Sequence, residues 1–315
     1  MNRDNIKIYA IVVTFNGDKW IRYCMESIIN EPLISKTIVI DNQSTDETIS
    51  ILEQNYAFVE LVKCRENLGF GQANNIGIKT ALKENADYIL LLNQDAWLLP
   101  GTVEHLIESF NLNPSAGIMA PLNYALNGND LEVTFQGELN QNNCPGILND
   151  AITGKLKETY KINWYINASA WLLTRAFLLK AGGFDPLFDH YGEDVDLCQR
   201  GKYHDYTIGL CTKGKIIHAK DNYIPKLKKK NLEFKRLIRM QWNNYLLLKL
   251  KDLDHKLIGV YLKNTANLLQ NFVLNLIKGH FRLSRLHLYM LLKIHRFIFT
   301  IAKHRKISKQ KQAFL

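Results

Sequence analysis

The first half of the chain alternates short apolar runs with segments of helical periodicity. The apolar runs are rich in isoleucine, valine and leucine, and each one stops at polar or turn-forming residues. The segments between them place apolar residues three and four positions apart, as an amphipathic helix does. This pattern predicts an α/β fold whose continuous apolar strands form a mostly parallel sheet covered by helices on both faces. The strands are expected at residues 7–15, 36–42, 59–64 and 87–95, and the helices at residues 19–30, 44–55 and 71–85.

Later segments are less regular. Residues 123–146 are rich in turn formers and indicate a hairpin or a mobile loop over the site. Residues 164–184 indicate a strand followed by a helix that ends at two glycines. The second of the early helices is expected to begin at Ser44 or Thr45, because a hydroxyl group there can cap it. From residue 231 onward the chain is predicted to be helical and amphipathic.

Polar side chains follow the predicted strands at one edge of the sheet. In parallel α/β sheets ligands bind beyond the carboxyl ends of the strands, so these side chains are candidates for ligand contacts. Asp41 is followed by amide and hydroxyl residues that can bind a nucleobase edge or a ribose, although an aspartate there can also merely cap the next helix. The strand-end residues are Thr14, Asn16, Asp41, Asn42, Asn93 and Asp95.

Asp95 and His218 are candidate metal ligands. A carboxylate at the tip of a central strand is suited to hold a divalent cation against a diphosphate. His218 follows another apolar strand and could supply a second ligand. Each of these two residues could instead have a purely structural role. Aspartates at strand ends often cap loops, and a lone histidine is more often part of a core than a metal ligand.

Other nucleotide-binding motifs are missing from the sequence. The glycine-rich segment NLGFGQANNIG, residues 67–77, does not have the GxGxxG spacing and precedes the third helix rather than the first, which disfavours a nicotinamide cofactor. No GxxxxGK[ST] segment occurs, so a P-loop is excluded. Five cysteines without CxxC spacing fit a reduced, cytosolic setting. The start of the chain predicts no signal peptide, and no apolar run predicts a spanning helix.

Charge divides the chain into two parts. Residues 221–315 contain 21 Lys and Arg against 4 Asp and Glu, a net charge of +17, whereas residues 1–220 carry a net charge of −7. An acidic body with a basic tail suggests chemistry in the first part and attachment to an anionic partner through the second. We therefore expect two units, residues 1–225 and residues 226–315.

Six motifs together resemble family 2 glycosyltransferases, with the bacterial rhamnosyltransferase-like subgroup the nearest in pattern. They are VVTFN, IDNQSTDET, NLGFGQANNIG, LLNQD, GGFDPLFDHYGEDVDLCQR and IIHAK, in the order and spacing seen in that family. The resemblance covers roughly residues 7–220. It implies a GT-A fold with a Rossmann-like nucleotide half and a mixed, mostly parallel sheet. It also implies inverting, metal-dependent transfer of a sugar from a nucleotide-activated donor, with dTDP-rhamnose, UDP-sugars and GDP-sugars all open.

The resemblance also assigns roles to individual residues. Mg²⁺ or Mn²⁺ would bind Asp95, the counterpart of the last acid in the family's DxD motif. The first position of that motif is Asn93 in this chain, and the loss of one charge should weaken a site for a hard cation. The residues implied to contact the nucleotide sugar are Thr14, Asn16, Asp41, Asn67, Gly69, Asn74 and Asn93.

The acidic stretch of residues 183–200 would supply the catalytic base. The resemblance places the base in the pair Glu193-Asp194, and we expect Asp194 first and Glu193 second. Asp196 lies four residues before Arg200 and can pair with it on a helix, which gives Asp196 a structural reading. Asp185 and Asp189 are expected to fix the preceding turn or to touch the acceptor.

The basic tail predicts an interfacial helix on anionic lipid. Arg282, Arg285, Lys293, Arg296 and Lys303 fall on one side of a helical wheel, and aromatic and aliphatic residues lie between them. The alternative is an ordinary packed helix with a solvated basic face. A membrane-surface position suits a transferase with a lipid-linked acceptor, on the inner face of the cytoplasmic membrane.

Two other functions compete with sugar transfer. A sugar nucleotidyltransferase shares the general fold but needs an early cationic glycine-rich loop, and residues 14–23 are a poor substitute. A nucleic-acid-binding protein would use the basic tail, but the acidic front half opposes this reading and no zinc spacing or RNP-like motif supports it. We therefore expect no nucleic-acid partner.

Overall fold

In a computed structural model, residues 6–189, 191–219 and 230–315 are described, and within them nine strands form one mixed sheet. Its strand order is β3-β2-β1-β4-β8-β6-β9-β5, and β7 also pairs with β9. The strands are β1 Ile8–Thr14, β2 Ile34–Asp41, β3 Glu60–Lys63, β4 Tyr88–Asn93, β5 Ala96–Leu98, β6 Ala116–Tyr124, β7 Thr159–Ile162, β8 Ala170–Thr174 and β9 Thr207–His218. The predicted α/β class with a mixed central sheet is confirmed.

The first four strands in the order are parallel and place their carboxyl ends side by side. Thr14 at the end of β1 pairs with Asp41 of β2, and its neighbour Val13 pairs with Asn93 of β4. Antiparallel pairs appear only in the second half of the sheet, where β8 runs against both β4 and β6. The predicted strand ends therefore meet at one edge.

Helices cover both faces of the sheet, as the continuous apolar strands predict. Along β1, Tyr9 and Ile11 belong to the core on one face, whereas Ile8, Ala10 and Val12 belong to the core on the other. The helices of the body are α1 Ile21–Ile29, α2 Thr48–Asn55, α3 Gly69–Lys83, α4 Thr102–Leu112, α5 Val133–Glu138, α6 Ile147–Ile152, α7 Arg175–Ala181 and α8 Glu193–Tyr203.

Three local predictions differ from the structure. Helix α2 begins at Thr48, and neither Ser44 nor Thr45 caps it; the Ser44 hydroxyl instead accepts a hydrogen bond from the backbone of Asn16. Within residues 123–146, Tyr124 and Leu131 form an antiparallel β-bridge around a tight turn, as a short hairpin does, and the short helix α5 that follows was not predicted. Strand β6 was missed, because its apolar run contains a glycine and a proline that suggest a turn.

The tail is helical, and part of it packs on the body. It consists of α9 Lys230–Gln241, a π-helical segment Trp242–Leu247, α10 Leu248–Lys251, α11 Leu257–Ile277 and α12 Phe281–Ser308. A third apolar core contains Leu247, Leu286 and Ile301 of the tail together with Phe188 of the body. In the described part of the chain no helix is both long and apolar enough to cross a bilayer. The expected boundary between residues 225 and 226 lies outside the described residues.

A buried ion cluster also joins the tail to the body. The ammonium group of Lys251 lies 2.5 Å from the Asp185 carboxylate, and both side chains are fully buried. His304 of α12 lies 2.6 Å from the other oxygen of Asp185. Arg200 pairs with Asp196 at 2.7 Å, as their spacing predicts. Asp185 therefore holds the tail rather than facing an acceptor.

Candidate functional site

A cleft of about 740 Å³ lies at the carboxyl ends of β1, β2 and β4, and we call it the strand-end cleft. The loop before α8 and helix α9 complete its walls. Its lining residues are Val13, Phe15, Asn42, Glu66, Asn67, Leu68, Gly69, Phe70, Gln72, Asn93, Gln94, Asp95, Asp189 and Arg239. Of the residues predicted to bind the nucleotide sugar, Asn67, Gly69 and Asn93 line it directly.

Gln94 ties the ends of β1 and β4 together. The Thr14 hydroxyl donates a hydrogen bond of 2.6 Å to the Gln94 side-chain oxygen, and the Phe15 amide donates to the same atom. Thr14 is therefore part of the floor beneath the cleft. A Cβ atom at Gly17 would lie 2.2 Å from this oxygen, so a larger residue there would displace the Gln94 side chain.

The end of β2 is held by its own polar residues. The Asn42 side chain accepts a hydrogen bond from the Leu68 amide and donates one to the Gly69 carbonyl, which fixes the start of α3 against the cleft. Asn16 accepts a hydrogen bond from the Thr45 amide. Asp41 accepts one from Ser44 at Oδ2, while its buried Oδ1 has no hydrogen-bond partner among the described residues. That oxygen is a candidate acceptor for a nucleoside.

Asn74 occupies a different environment. Its side chain is buried on α3 and donates to the Phe70 carbonyl one turn earlier. It does not line the strand-end cleft. The structure thus brings Asn67 and Gly69 to the cleft and places Asn74 inside the helix packing.

Asp95 and His218 lie side by side at one end of the cleft. Nε2 of His218 is 3.6 Å from Oδ1 of Asp95, and the Ala219 amide donates to the Asp95 carbonyl. Two ligands that each lie about 2.1 Å from an ion can be up to about 4.2 Å apart, so this pair fits a shared divalent cation. No group of three or more such side chains occurs in the ranges that the structure describes. Phosphate oxygens and water would therefore have to complete the coordination.

The acidic pair begins helix α8. The Tyr165 hydroxyl donates a hydrogen bond of 2.9 Å to Oδ2 of Asp194, and the Val195 amide donates to Oδ1. Burial and the Asp194 charge raise the pKa of Tyr165, so this hydroxyl keeps its proton. Asp194 is half-buried.

Glu193 differs from Asp194 in its surroundings. It is buried, and its Oε2 atom has no hydrogen-bond partner among the described residues. Burial, with the Asp194 charge adding to it, raises the pKa of Glu193 to about 8. Its Cγ lies 3.5 Å from where a Cβ of Gly71 would stand, which puts it against α3 beside the cleft. Burial also raises the pKa of the nearby Glu138 to about 7.

Two residues of the cleft had no clear sequence signal. Gln94 lies inside the motif LLNQD, but only the neighbouring aspartate suggested chemistry. Arg239 lies in the tail, whose basic residues all suggested a membrane contact. Asp189, which was expected to fix the turn before α8 or to touch the acceptor, lies in that loop and lines the strand-end cleft.

Comparisons with known proteins agree with this geometry. Residues 9–168 match the model of a family described as glycosyl transferase family 2. An N-acetylglucosaminyl-diphospho-decaprenol L-rhamnosyltransferase of Mycobacterium tuberculosis is 29% identical over 184 residues, 52% of this chain and 59% of that protein. A chondroitin synthase of Escherichia coli is 28% identical over 55% of this chain and 24% of its own length. The chain thus spans less than two thirds of these relatives.

Solved structures share the fold at low sequence identity. S. aureus TarS 1-349 in complex with UDP has a TM-score of 0.53 and 15% identity, over 81% of this chain and 69% of that one. GalNAc-T7 with UDP, GalNAc and Mn²⁺ has a TM-score of 0.52 and 14% identity, over 69% of this chain and 44% of that one.

Proposed function

This chain belongs to glycosyl transferase family 2, and from that premise we propose that it transfers a sugar from a nucleoside-diphosphate donor to a hydroxyl group of a glycan or lipid-linked acceptor. The observation that carries the proposal is the strand-end cleft, which Asn42, Asn93 and Asp95 line at the carboxyl ends of the parallel strands, with His218 3.6 Å from Asp95. A sugar nucleotidyltransferase would need a cationic glycine-rich loop for a triphosphate, whereas in the loop after β1 the Phe15 amide is bonded to Gln94 and the Asn16 side chain to Thr45.

The donor is a nucleoside diphosphate sugar, with a rhamnose donor the first candidate. The Mycobacterium relative is an L-rhamnosyltransferase that acts on a diphospho-decaprenol, which supports dTDP-rhamnose and a lipid-linked acceptor. TarS and GalNAc-T7 were solved with UDP, which supports UDP-sugars as the second class of candidate donor.

Mg²⁺ or Mn²⁺ would be held by Asp95 and His218 in this enzyme. When bound there, the cation neutralises negative charge on the donor's diphosphate. GalNAc-T7 was solved with Mn²⁺, which supports the same class of ion here. The neutral Asn93 beside the pair lowers the negative charge of the site, so we expect weaker cation binding than two carboxylates would give.

Asp194 is the proposed base of an inverting displacement. The acceptor oxygen forms a bond to the anomeric carbon while the bond to the diphosphate oxygen breaks, and the departing diphosphate keeps that electron pair. Asp194 takes the proton of the acceptor hydroxyl. The hydrogen bond from Tyr165 orients its carboxylate.

Glu193 is the weaker candidate for this base. Its raised pKa leaves it mostly protonated at neutral pH, so it has little capacity to accept a proton there. As a neutral carboxylic acid next to Asp194 it avoids a second buried charge.

The donor proposal is tested by thermal shift with a panel of dTDP-, UDP- and GDP-sugars, with and without Mn²⁺. We expect one base to raise the melting temperature most, and Mn²⁺ to enlarge that rise, because bound ligand stabilises only the folded state. A panel in which no nucleotide sugar shifts the melting temperature would refute the proposal.

The tail is proposed to lie on an anionic membrane surface at the inner face of the cytoplasmic membrane. Helix α11 exposes an apolar stripe along its length, and α12 exposes another. The exposed residues are Ile258, Leu262, Leu269, Val273 and Leu276 on α11, and Phe281, Leu288, Leu292 and Phe299 on α12. The tail's +17 charge complements anionic lipid, and together these are the marks of an interfacial helix pair.

This apolar surface differs from the one that the sequence suggested. Leu286 and Ile301, which seemed too apolar for a solvated helix, are buried in the third core. Arg285 and Lys293 lie over the rings of Phe234 and Trp242 respectively. The lipid contact is therefore proposed chiefly for α11 and for the outer stripe of α12.

Co-sedimentation with phosphatidylglycerol-containing vesicles tests the membrane proposal. The double variant Leu262→Gln and Leu269→Gln should lower the bound fraction at fixed lipid, with roughly a tenfold loss in partitioning. The matched control, Leu148→Gln with Ile152→Gln, makes the same change at exposed positions of the body and should bind as the wild type does. Equal binding by all three proteins would refute the assignment of this surface.

A further inference from the structure

The C-terminal helices supply a cationic wall to the strand-end cleft. Arg239 of α9 lines the cleft together with Asn93 and Asp95, although it lies far along the chain from them. Lys293 of α12 has its ammonium group 4.4 Å from the centre of the Trp242 ring. Burial lowers the pKa of Lys293, and the charges of Asp189 and Arg239 both act on it. Arg239 thus brings one cation of the tail into the cleft wall, and Lys293 is close enough to interact electrostatically with two residues of that wall.

This wall is held in place by the π-helical segment that follows α9. Asn243 donates a hydrogen bond of 2.6 Å to the Asp189 carboxylate, and the Asn243 carbonyl lies 3.0 Å from where a Cβ of Gly192 would stand. Trp242 is buried and packs against Phe297 of α12. π-Helical turns are often found at functional sites. Arg239 lies about one turn before this π-helical segment, so the irregular backbone agrees with a functional role for Arg239.

The chemistry of the cleft leaves a place for such a cation. The proposed cation site has one carboxylate, Asp95, and the neutral Asn93 stands where the family's motif has an acid. If the metal ion binds weakly, the protein itself must stabilise more of the negative charge on the departing diphosphate. A guanidinium group matches phosphate oxygens with two parallel donors and keeps its charge at all relevant pH values.

We propose that Arg239 binds the diphosphate of the donor from the tail side of the cleft, with Lys293 adding positive potential. As the sugar–oxygen bond breaks, the electron pair stays on the diphosphate, and Arg239 stabilises the charge that grows there. The proposal rests on the proposed function and gives the tail a second role. Helix α9 of the tail would complete the donor site, while α11 and α12 would contact lipid.

The test measures binding of UDP, dTDP, GDP and inorganic pyrophosphate by calorimetry, in EDTA and with Mn²⁺. Arg239→Gln should weaken the best-bound nucleoside diphosphate at least about tenfold, which is about 1.4 kcal/mol. The loss should be greater in EDTA, and smaller for the matching nucleoside monophosphate, which lacks the second phosphate. The control Arg236→Gln removes the same charge from an exposed position of α9 that does not line the cleft. It should change binding by less than about twofold, because Arg236 does not line the cleft and its charge acts on the ligand only through solvent, where salt screens it.

Two outcomes separate this inference from the function on which it rests. If the wild type binds a nucleoside diphosphate and Arg239→Gln binds it equally well, the role of Arg239 is wrong and the proposed function stands. If the wild type binds none of the nucleoside diphosphates under either condition, both are wrong.

Discussion

Replacement of Glu193 by glutamine should make the protein more stable at high pH. Glu193 is buried, and its pKa is about 8 in the folded protein against 4.5 for an ordinary glutamate. Between these two pH values the unfolded chain has lost the proton and the folded chain keeps it. Folding therefore becomes less favourable as the pH rises through this window, and the full cost is present above pH 8.

The two pKa values set the size of the effect. They differ by about 3.5, and at about 1.36 kcal/mol per pKa unit the cost at high pH is of the order of 5 kcal/mol. Glutamine has nearly the same shape and cannot ionise. We expect the difference in free energy of unfolding between Glu193→Gln and the wild type to grow by roughly that amount between pH 4 and pH 9.

Urea denaturation at several pH values between 4 and 9 measures this difference. The control is Glu47→Gln, the same substitution at an exposed position, and its difference from the wild type should stay nearly constant with pH. A difference for Glu193→Gln that is equally independent of pH would refute the buried, neutral Glu193. It would also reopen Glu193 as the catalytic base.

Three further predictions concern the site and the tail. Asp194→Asn should lower turnover, measured as product formation, by about 10²-fold or more. The Kd of the nucleotide sugar, measured by calorimetry, should stay within a few-fold of the wild-type value. Normal turnover would exclude Asp194 as the base. Asp95→Asn should raise the Mn²⁺ concentration for half-maximal stimulation by about tenfold or more, which a metal titration of the rate measures. Lys251→Met should destabilise the protein by roughly 3–5 kcal/mol in urea denaturation, because it leaves Asp185 charged and buried without its ammonium partner; Asp185→Asn added to it should recover part of that loss, and no recovery would contradict this cause.

The strands of the nucleotide half were predictable because their signals are local. A continuous apolar run such as that of β1 is stable only in a strand that is buried on both faces of the sheet. The polar residue at its end must then lie at the carboxyl edge of the sheet. The pair of Asp196 with Arg200 likewise follows from helical spacing alone. These features depend on neighbours within a few residues.

The remaining features depend on contacts between distant segments. Nothing near Arg239 in the sequence distinguishes it from the other basic residues of the tail, and only the packing of α9 on the loop before α8 brings it to the cleft. The sequence predicted that Asp185 fixes a turn or touches the acceptor, and its partners Lys251 and His304 lie more than sixty residues farther along the chain, where no local signal points to them. Asn74 matched the family's motif by position, but α3 turns it into the packed interior.

The central claim is that this chain moves a sugar from a nucleoside diphosphate with Asp194 as the base. The most direct test incubates the wild type and Asp194→Asn with the nucleotide-sugar panel, Mn²⁺ and a lipid-linked N-acetylglucosamine acceptor, and measures the glycosylated product by mass spectrometry. We predict product from one donor with the wild type, with an inverted anomeric configuration by NMR, and almost none with Asp194→Asn. Product of retained configuration, or equal product from both proteins, would contradict the account.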